Sequence, residues 1–464
     1  MPDSLIADSL IADSGAAIPL NPVAEADLDG LDAFVRGLAK AEGFKGAAGQ
    51  LLKVPYLTDG RLERVLIGLG DKPRTDLFRA AAARLPPGDY RLSSVPHDLD
   101  ATQIAIAWGQ GGYRFDRYKP GKEGREAAPR LVAPPGADLA LASSLVQACA
   151  LARDMVNTPA NDMGPLQIET IAREIAEQFA ARIAVVVADD LLEANYPAVH
   201  AVGRAAAPYR APRMIEISWG APSDPLIAIV GKGVVFDTGG LDIKPSSGMR
   251  LMKKDMGGAA HALALARMVM AAGLPVRLAV LIPAVENAIS GDAMRPGDVI
   301  ASRSGLSIEI GNTDAEGRLI LADALTRAAE LDPVLTLDMA TLTGAARVAL
   351  GPQVIPFYTD DNGLAADLAD AALAVADPLW RMPLWSGYAE SVESDIADLK
   401  NDPDAWAQAG SITAALFLQR FAPKQGWLHL DLYAWNPKGR PGWPVGAEAQ
   451  AVRALFQLLK TRYP

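Results

Sequence analysis

Residues 312–318 read Asn-Thr-Asp-Ala-Glu-Gly-Arg, a polar turn between apolar runs that sets two carboxylates and a guanidinium side by side. Upstream, Val-Gly-Lys-Gly-Val-Val-Phe-Asp-Thr-Gly-Gly (230–240) leads through Ile-Lys-Pro-Ser (243–246) to Lys-Lys-Asp-Met-Gly-Gly-Ala-Ala (253–260). Together these stretches supply Lys232, Asp237, Asp255, Asp314 and Glu316 as candidate metal ligands, with Lys244 and Arg318 left over. Carboxylates gathered within a few Å repel one another and are costly to desolvate, so such a cluster implies bound cations. Two divalent ions would cancel the charges of Asp237, Asp255, Asp314 and Glu316. Oxygen ligands alone suit magnesium or manganese, but Lys232 adds a nitrogen, which a metal can hold deprotonated at neutral pH. One nitrogen among oxygens favours zinc, manganese or cobalt over calcium. Two ions about 3.5–4 Å apart can lower the pKa of a shared water toward about 7, giving hydroxide without a histidine base.

Each member has a plainer reading alone. Asp237 before Thr-Gly-Gly suits a turn or cap, Asp314 and Glu316 suit the N-terminus of a helix, and the lysines suit solvated surface charges. Gly239, Gly240, Gly257 and Gly258 could merely permit tight turns and close packing. The four histidines, at 97, 200, 261 and 429, form no His-x-x-x-His pair and read as structural. No Gly-x-Ser-x-Gly elbow is present, which weakens a serine hydrolase reading.

The elements that must position these residues are legible as alternating runs. Near-continuous apolar stretches at 183–188, 226–230, 276–282 and 334–339 read as strands of a sheet covered on both faces, alternating with helices around 165–180, 257–272 and 319–331. Segments 231–240 and 338–344 follow such strands. In covered α/β sheets, ligands collect at the carboxyl ends of strands, so the two halves of the motif can meet. Short apolar runs such as 64–69, alternating with helical patterns such as 75–85, make residues 16–136 a small N-terminal α/β domain. Residues 1–15 carry Ser-Leu-Ile-Ala-Asp in tandem and read as a variable terminus; 137–160 reads as a connecting helix, and 161–464 as the catalytic domain.

A chain of 464 residues, half of them hydrophobic, has enough material for two cores. No charge-free apolar run reaches the roughly 18–20 residues of a membrane span, and no secretory pattern opens the chain, so it reads as cytoplasmic with no membrane partner. Cys149 is the only cysteine, which excludes an internal disulfide and a cysteine metal cage. The net charge of −11 argues against a nucleic-acid partner. A basic stretch with Arg114, Arg117, Lys119, Lys122, Arg125 and Arg130 is best read as a solvated loop.

The motif pair closely resembles the leucine aminopeptidase family of di-metal exopeptidases. Further blocks resemble it in order: Pro-Ala-Val-Glu-Asn-Ala-Ile-Ser-Gly (283–291), Arg-Pro-Gly-Asp-Val (295–299), Ala-Thr-Leu-Thr-Gly-Ala (340–345), Pro-Leu-Trp (383–385), Ala-Asp-Leu-Lys-Asn (397–401) and Ile-Thr-Ala-Ala (412–415). Tyr-Arg-Phe-Asp-Arg-Tyr-Lys (113–119) is similar to a block of the family's N-terminal domain. The resemblance implies the same five ligands, with Asp237 and Glu316 shared between two ions. It also implies that Lys244 polarises the scissile carbonyl, that Arg318 holds a bicarbonate acting as proton relay, and that Met252, Asn312, Thr341 and Gly344 line the pocket for the first side chain. A homohexamer acting on peptides with a free N-terminus is implied too.

The chain departs from the family after His-Leu-Asp (429–431), where Leu-Tyr-Ala-Trp-Asn-Pro (432–437) replaces small residues. Tyr433 and Trp435 either narrow that pocket or pack elsewhere, which leaves a preference for leucine open. The tail 439–446 departs as well. Two rival functions remain: a DNA-binding or architectural protein on the same scaffold, and a two-metal phosphoesterase, which would give no reason for a lysine ligand.

Overall fold

The computed structural model describes residues 9–119, 128–403 and 408–464. The first copy of the tandem repeat (4–8), and Lys122 and Arg125 of the basic stretch, lie outside the described residues. The chain divides into two compact units, one of Met1–Ala150 with Asn436–Val445, the other of Leu151–Trp435 with Gly446–Pro464.

In the first unit the strands are β1 (Leu10–Ile11), β2 (Ile18–Val23), β3 (Leu51–Pro55), β4 (Leu62–Gly68), β5 (Asp89–Leu92) and β6 (Arg130–Val132). They form one sheet in the order β1-β6-β5-β2-β4-β3, parallel except for the β3–β4 pair. Val23, Val35, Phe44, Leu52, Val54 and Leu66 close part of its core. The helix Ala101–Gly111 starts where Asp100 accepts a hydrogen bond from Gln103 N, and it carries the fully buried Trp108. Arg130 belongs to a strand and not to a solvated loop: its guanidinium grips both carboxylate oxygens of Asp89, at 2.7 and 3.0 Å. The sequence reading places 436–445 with the catalytic domain. By its contacts the segment groups with the first unit, where the Arg79 guanidinium stacks 4.3 Å from the Trp443 ring and donates to Gly442 O.

The helix Leu139–Asn157 is long and apolar enough, by length and composition, to cross a membrane. It carries Arg153 and Asp154, and much of it is buried in the fold. Cys149 lies on it as a buried side chain that accepts from Gln110 Nε2.

The second unit continues with β7 (Arg182–Val187), β8 (Arg213–Trp219), β9 (Leu226–Gly231), β10 (Gly233–Asp237), β11 (Arg277–Asn287), β12 (Val299–Ala301) and β13 (Ser307–Glu309). After these come β14 (Leu335–Ala340), β15 (Ile355–Tyr358), β16 (Leu379–Arg381), β17 (Leu399–Lys400) and β18 (Trp427–Asp431). The main sheet runs β16-β15-β18-β14-β9-β11-β8-β7, with β10 pairing to β11. Its centre is parallel, and β8 and β15 bring antiparallel pairing to either side. Every residue of β9 and β14 is buried, which matches a sheet covered on both faces. The helices Gly257–Ala272 and Glu316–Glu330 pack on β9, β11 and β14.

The strand read at 276–282 runs on to Asn287, through Pro283. Pro283 falls where β11 changes partner, between Leu281, its last residue paired to β9, and Ala284, its first paired to β10. The ladder on that side is interrupted there, so the missing N–H costs nothing.

Candidate di-metal active site

Lys232 is the single residue between β9 and β10. The chain parts from β14 after Gly231 and resumes its pairing with β11 at Gly233. Lys232 N donates to Met339 O at 3.0 Å, and Lys232 O accepts from Ala259 N at 2.8 Å, so its backbone is held on both sides at the carboxyl end of β9. Gly258 permits that approach: a Cβ there would lie 2.1 Å from Met339 O. Gly317 does the same for the side chain, since a Cβ on it would lie 2.5 Å from Lys232 Cε.

The sequence-predicted ligands converge. Lys232 Nζ lies 2.7 Å from Asp255 Oδ2 and 2.9 Å from Glu316 Oε1. Lys244 Nζ lies 2.8 Å from Asp237 Oδ2 and 2.5 Å from Asp314 Oδ1. Asp237, Asp255 and Glu316 are buried and each offers an oxygen within 4.8 Å of the others; Asp314 stands at the more open edge. Glu316 is the first residue of its helix, three positions before the start read from the apolar pattern.

The charges of the cluster call for cations. Among the described residues both Glu316 oxygens, Asp255 Oδ2 and Asp314 Oδ1 are buried without a hydrogen-bond partner, although the ammonium groups stand at ion-pair distance. Burial, then the neighbouring Asp237 charge, pushes the Glu316 carboxyl up to about 8 and that of Asp314 to about 6. Burial works against the Lys232 charge, but Asp255, Glu316 and Asp237 outweigh it and hold the ammonium above the ordinary lysine range. Asp237 and Asp314 do the same for Lys244. Two ammonium groups are a poor counter-charge for this many carboxylates. An oxygen-rich donor set with one amine and orphaned carboxylate oxygens fits a pair of divalent cations.

Several residues that the sequence reading did not assign hold the cluster in shape. Asn287 pairs with Asp237 across β10 and β11, and its Nδ2 donates to Asp237 Oδ1 (2.8 Å) and Thr313 O (3.1 Å). Thr313 joins the two halves of the motif: its N donates to Asp242 Oδ2, and its hydroxyl donates to Gly239 O. Asn401 staples the 312–318 turn, accepting from Gly311 N and Asn312 N and donating to Asn312 O. Asp431 accepts from Leu342 N, Thr343 N and the Thr343 and Ser411 hydroxyls, fixing the loop after β14. Asn287 and Asn401 both sit inside family-like blocks, so a signal was present, but nothing in their spacing ties them to a ligand.

The remaining predicted residues surround the cluster. The Thr341 hydroxyl donates to Asp255 Oδ1 at 3.0 Å, Met252 opens the short turn Met252–Met256 that carries Asp255, and Gly344 opens the helix Gly344–Leu350. Asn312 Oδ1 accepts from Asp314 N. Arg318 is buried; its Nη1 donates to Asn401 O at 2.6 Å, and its Nε has no partner among the described residues. Burial lowers its pKa, with Asp402 and Glu316 acting in opposition. Tyr433 and Trp435 part company: Trp435 packs buried beneath Lys253, whereas Lys254 and Arg347 bring their charged ends to 5.5 and 5.3 Å from the Tyr433 ring centroid.

None of the histidines belongs to the cluster. His261 is hydrogen-bonded to Gly257 O and Gln450 N, and His429 is bound to Asp338 on the neighbouring strand. His200 and His97 pair with Asp189 and Asp98.

Two α/β units, the second carrying a carboxylate cluster with an amine among its donors, define a two-domain α/β protein with a candidate metal centre. Residues 150–456 match the catalytic domain of the cytosol aminopeptidase family, and residues 18–134 match the M17 aminopeptidase N-terminal domain. A protein of Syntrophotalea carbinolica named as a probable cytosol aminopeptidase is 39% identical over 428 residues, covering 85% of each chain. The crystal structure of a cytosol aminopeptidase from Coxiella burnetii superposes with a TM-score of 0.92 at 43% identity, covering 98% of this chain and 100% of that one. The bottromycin maturation enzyme BotP in complex with Mn superposes with a TM-score of 0.88 at 33% identity, covering 97% and 100%. The chain belongs to the cytosol aminopeptidase family and is a leucyl-type aminopeptidase, a hydrolase. That membership favours the peptidase reading over the DNA-binding and phosphoesterase alternatives.

Proposed function

We propose that the enzyme removes the first residue from peptides with two divalent ions, zinc, manganese or cobalt, held by Lys232, Asp237, Asp255, Asp314 and Glu316. The observation that carries this is the Lys232 amine set among the buried, under-paired carboxylates of Asp255 and Glu316. When bound, such ions supply Lewis acidity that activates a water and anchors a free α-amine. Restriction to the first peptide bond follows, because an internal amide nitrogen is neither basic nor free.

Lys244 reaches Asp237 and Asp314 from the open side of the cluster, where its ammonium can polarise the scissile carbonyl and stabilise the developing oxyanion. Arg318, buried and with an unpartnered Nε, offers a charged donor to a small anion. Arg318 would hold a bicarbonate there, which would supply a proton acceptor beside the cluster. Met252, Asn312, Thr341 and Gly344 border the first side chain. A cytoplasmic homohexamer engaged in peptide turnover, with no membrane or nucleic-acid partner, completes the reading.

The test is a panel of aminoacyl chromogenic amides offered to metal-stripped protein resupplied with zinc, manganese or cobalt. Metal-dependent release that needs a free α-amine, with two ions bound per chain, is the expected result. Binding of two ions with no amide or dipeptide cleaved under any metal would end the peptidase mechanism.

A further inference from the structure

Lys254 has no part in the mechanism above, yet its situation is unusual. Its side chain is 9% exposed, and among the described residues no hydrogen bond reaches its ammonium; the nearest carboxylate oxygen, Asp255 Oδ1, is 3.9 Å away. That carboxylate is already engaged by Lys232 and Thr341. Lys254 Nζ is not one of the fully enclosed, partnerless side-chain atoms, so this nearly buried side chain ends in an ammonium that keeps an outlet to solvent.

Lys254 Nζ stands 5.5 Å from the Tyr433 ring centroid, and the Arg347 guanidinium carbon stands 5.3 Å from the same centroid. Arg347 also has no carboxylate partner among the described residues. Two cations therefore converge on one aromatic ring, whose face can hold them in place but cannot neutralise them. The space alongside is open: a Cβ built on Gly344, one helical turn before Arg347, meets nothing within 4 Å. Tyr433 stands in the segment where this chain carries Leu-Tyr-Ala-Trp-Asn-Pro.

We propose that Lys254, Arg347 and the Tyr433 ring form a carboxylate-binding subsite beside the ligand cluster, selecting peptides that present an anionic group there. The inference rests on the aminopeptidase reading for its substrate. The carboxylate comes either from an acidic side chain on the first residue or from the free C-terminus of a dipeptide; the recognition chemistry is the same. In an otherwise acidic chain, this places unneutralised positive charge where the substrate binds.

The experiment uses the metal-loaded full-length enzyme. One arm compares kcat/KM for glutamyl against glutaminyl amides; the other compares leucylglycine with leucylglycine amide. Independently, calorimetry measures L-glutamate against L-glutamine and leucylglycine against its amide. A charge-assisted pair predicts about a tenfold preference for the anionic member of one set, expressed mainly in KM. Lys254→Met and the surface variant Arg347→Gln are each expected to bring that ratio toward one. A ratio within about twofold in both arms, or one that survives both variants, would overturn the proposal. If glutamate or leucylglycine binds in preference to its neutral partner and the variants abolish this, but no substrate is cleaved, the subsite stands and the peptidase mechanism falls.

Discussion

Asn287 donates its side-chain amide to Asp237 Oδ1 at 2.8 Å, across the strand register that sets the two residues side by side. Such a contact orients a metal ligand without touching the metal. Asn287→Ala is expected to weaken metal binding by about 10–100-fold, read by competition with a chromogenic chelator. Unchanged affinity would show that Asp237 keeps its geometry without this amide.

Lys244→Ala separates binding from chemistry. The variant is expected to retain two ions per chain and to lose roughly 10²–10³ in kcat, the usual cost of removing one oxyanion-stabilising donor. Metal content by elemental analysis, beside steady-state kinetics, decides the matter. Loss of metal together with activity would make Lys244 a structural counter-charge.

Gly317 allows the Lys232 side chain to lie against the first turn of the helix Glu316–Glu330. Gly317→Ala drives a methyl to about 2.5 Å from Lys232 Cε. Overpacking of this kind destabilises by about 1–3 kcal/mol, and the displaced amine should also lower metal affinity. Thermal unfolding with and without added zinc reads both effects.

The pH dependence of the metal-free protein has a defined sign. Burial raises Glu316 from an ordinary 4.5 to about 8, and Asp314 from 3.8 to about 6. The folded chain therefore binds these protons more tightly than the unfolded chain does. Their contribution to stability is full below the ordinary carboxylate range and is lost as pH rises through 6 and then 8. Lys232 and Lys244, both raised, titrate above this window. Metal-stripped protein should lose Tm between about pH 4.5 and 8, and protein saturated with zinc or manganese should lose less. Equal slopes for the two forms would place the cations elsewhere.

How far the sequence leads is clear from particular residues. Lys232, Asp237, Asp255, Asp314, Glu316 and Lys244 could be picked out because ligand chemistry restricts residue types and their spacing is local. Asn287, Asn401 and Asp431 could not, since an amide or carboxylate that shapes a loop is defined by what lies across the sheet. Strand β11 shows the same limit: Pro283 looks like a stop until one knows that the strand changes partner there. The segment 436–445 follows a catalytic strand in sequence but answers to Arg79 and Trp443 in packing, a relation between distant positions that no local pattern carries. Tyr433 was visible as a departure, and only its neighbours Lys254 and Arg347 give it chemical meaning.

The one-residue gap at Lys232 also bears on how the enzyme is made. Lys232 N is anchored by Met339 O, so the amine is held in its final place only after β14, more than a hundred residues later, has docked against β9. A ribosome-bound chain halted before Met339 carries all five candidate ligands and lacks the strand that aligns them. Tight cation uptake by stalled chains of increasing length would therefore mark the moment at which the centre of the sheet closes.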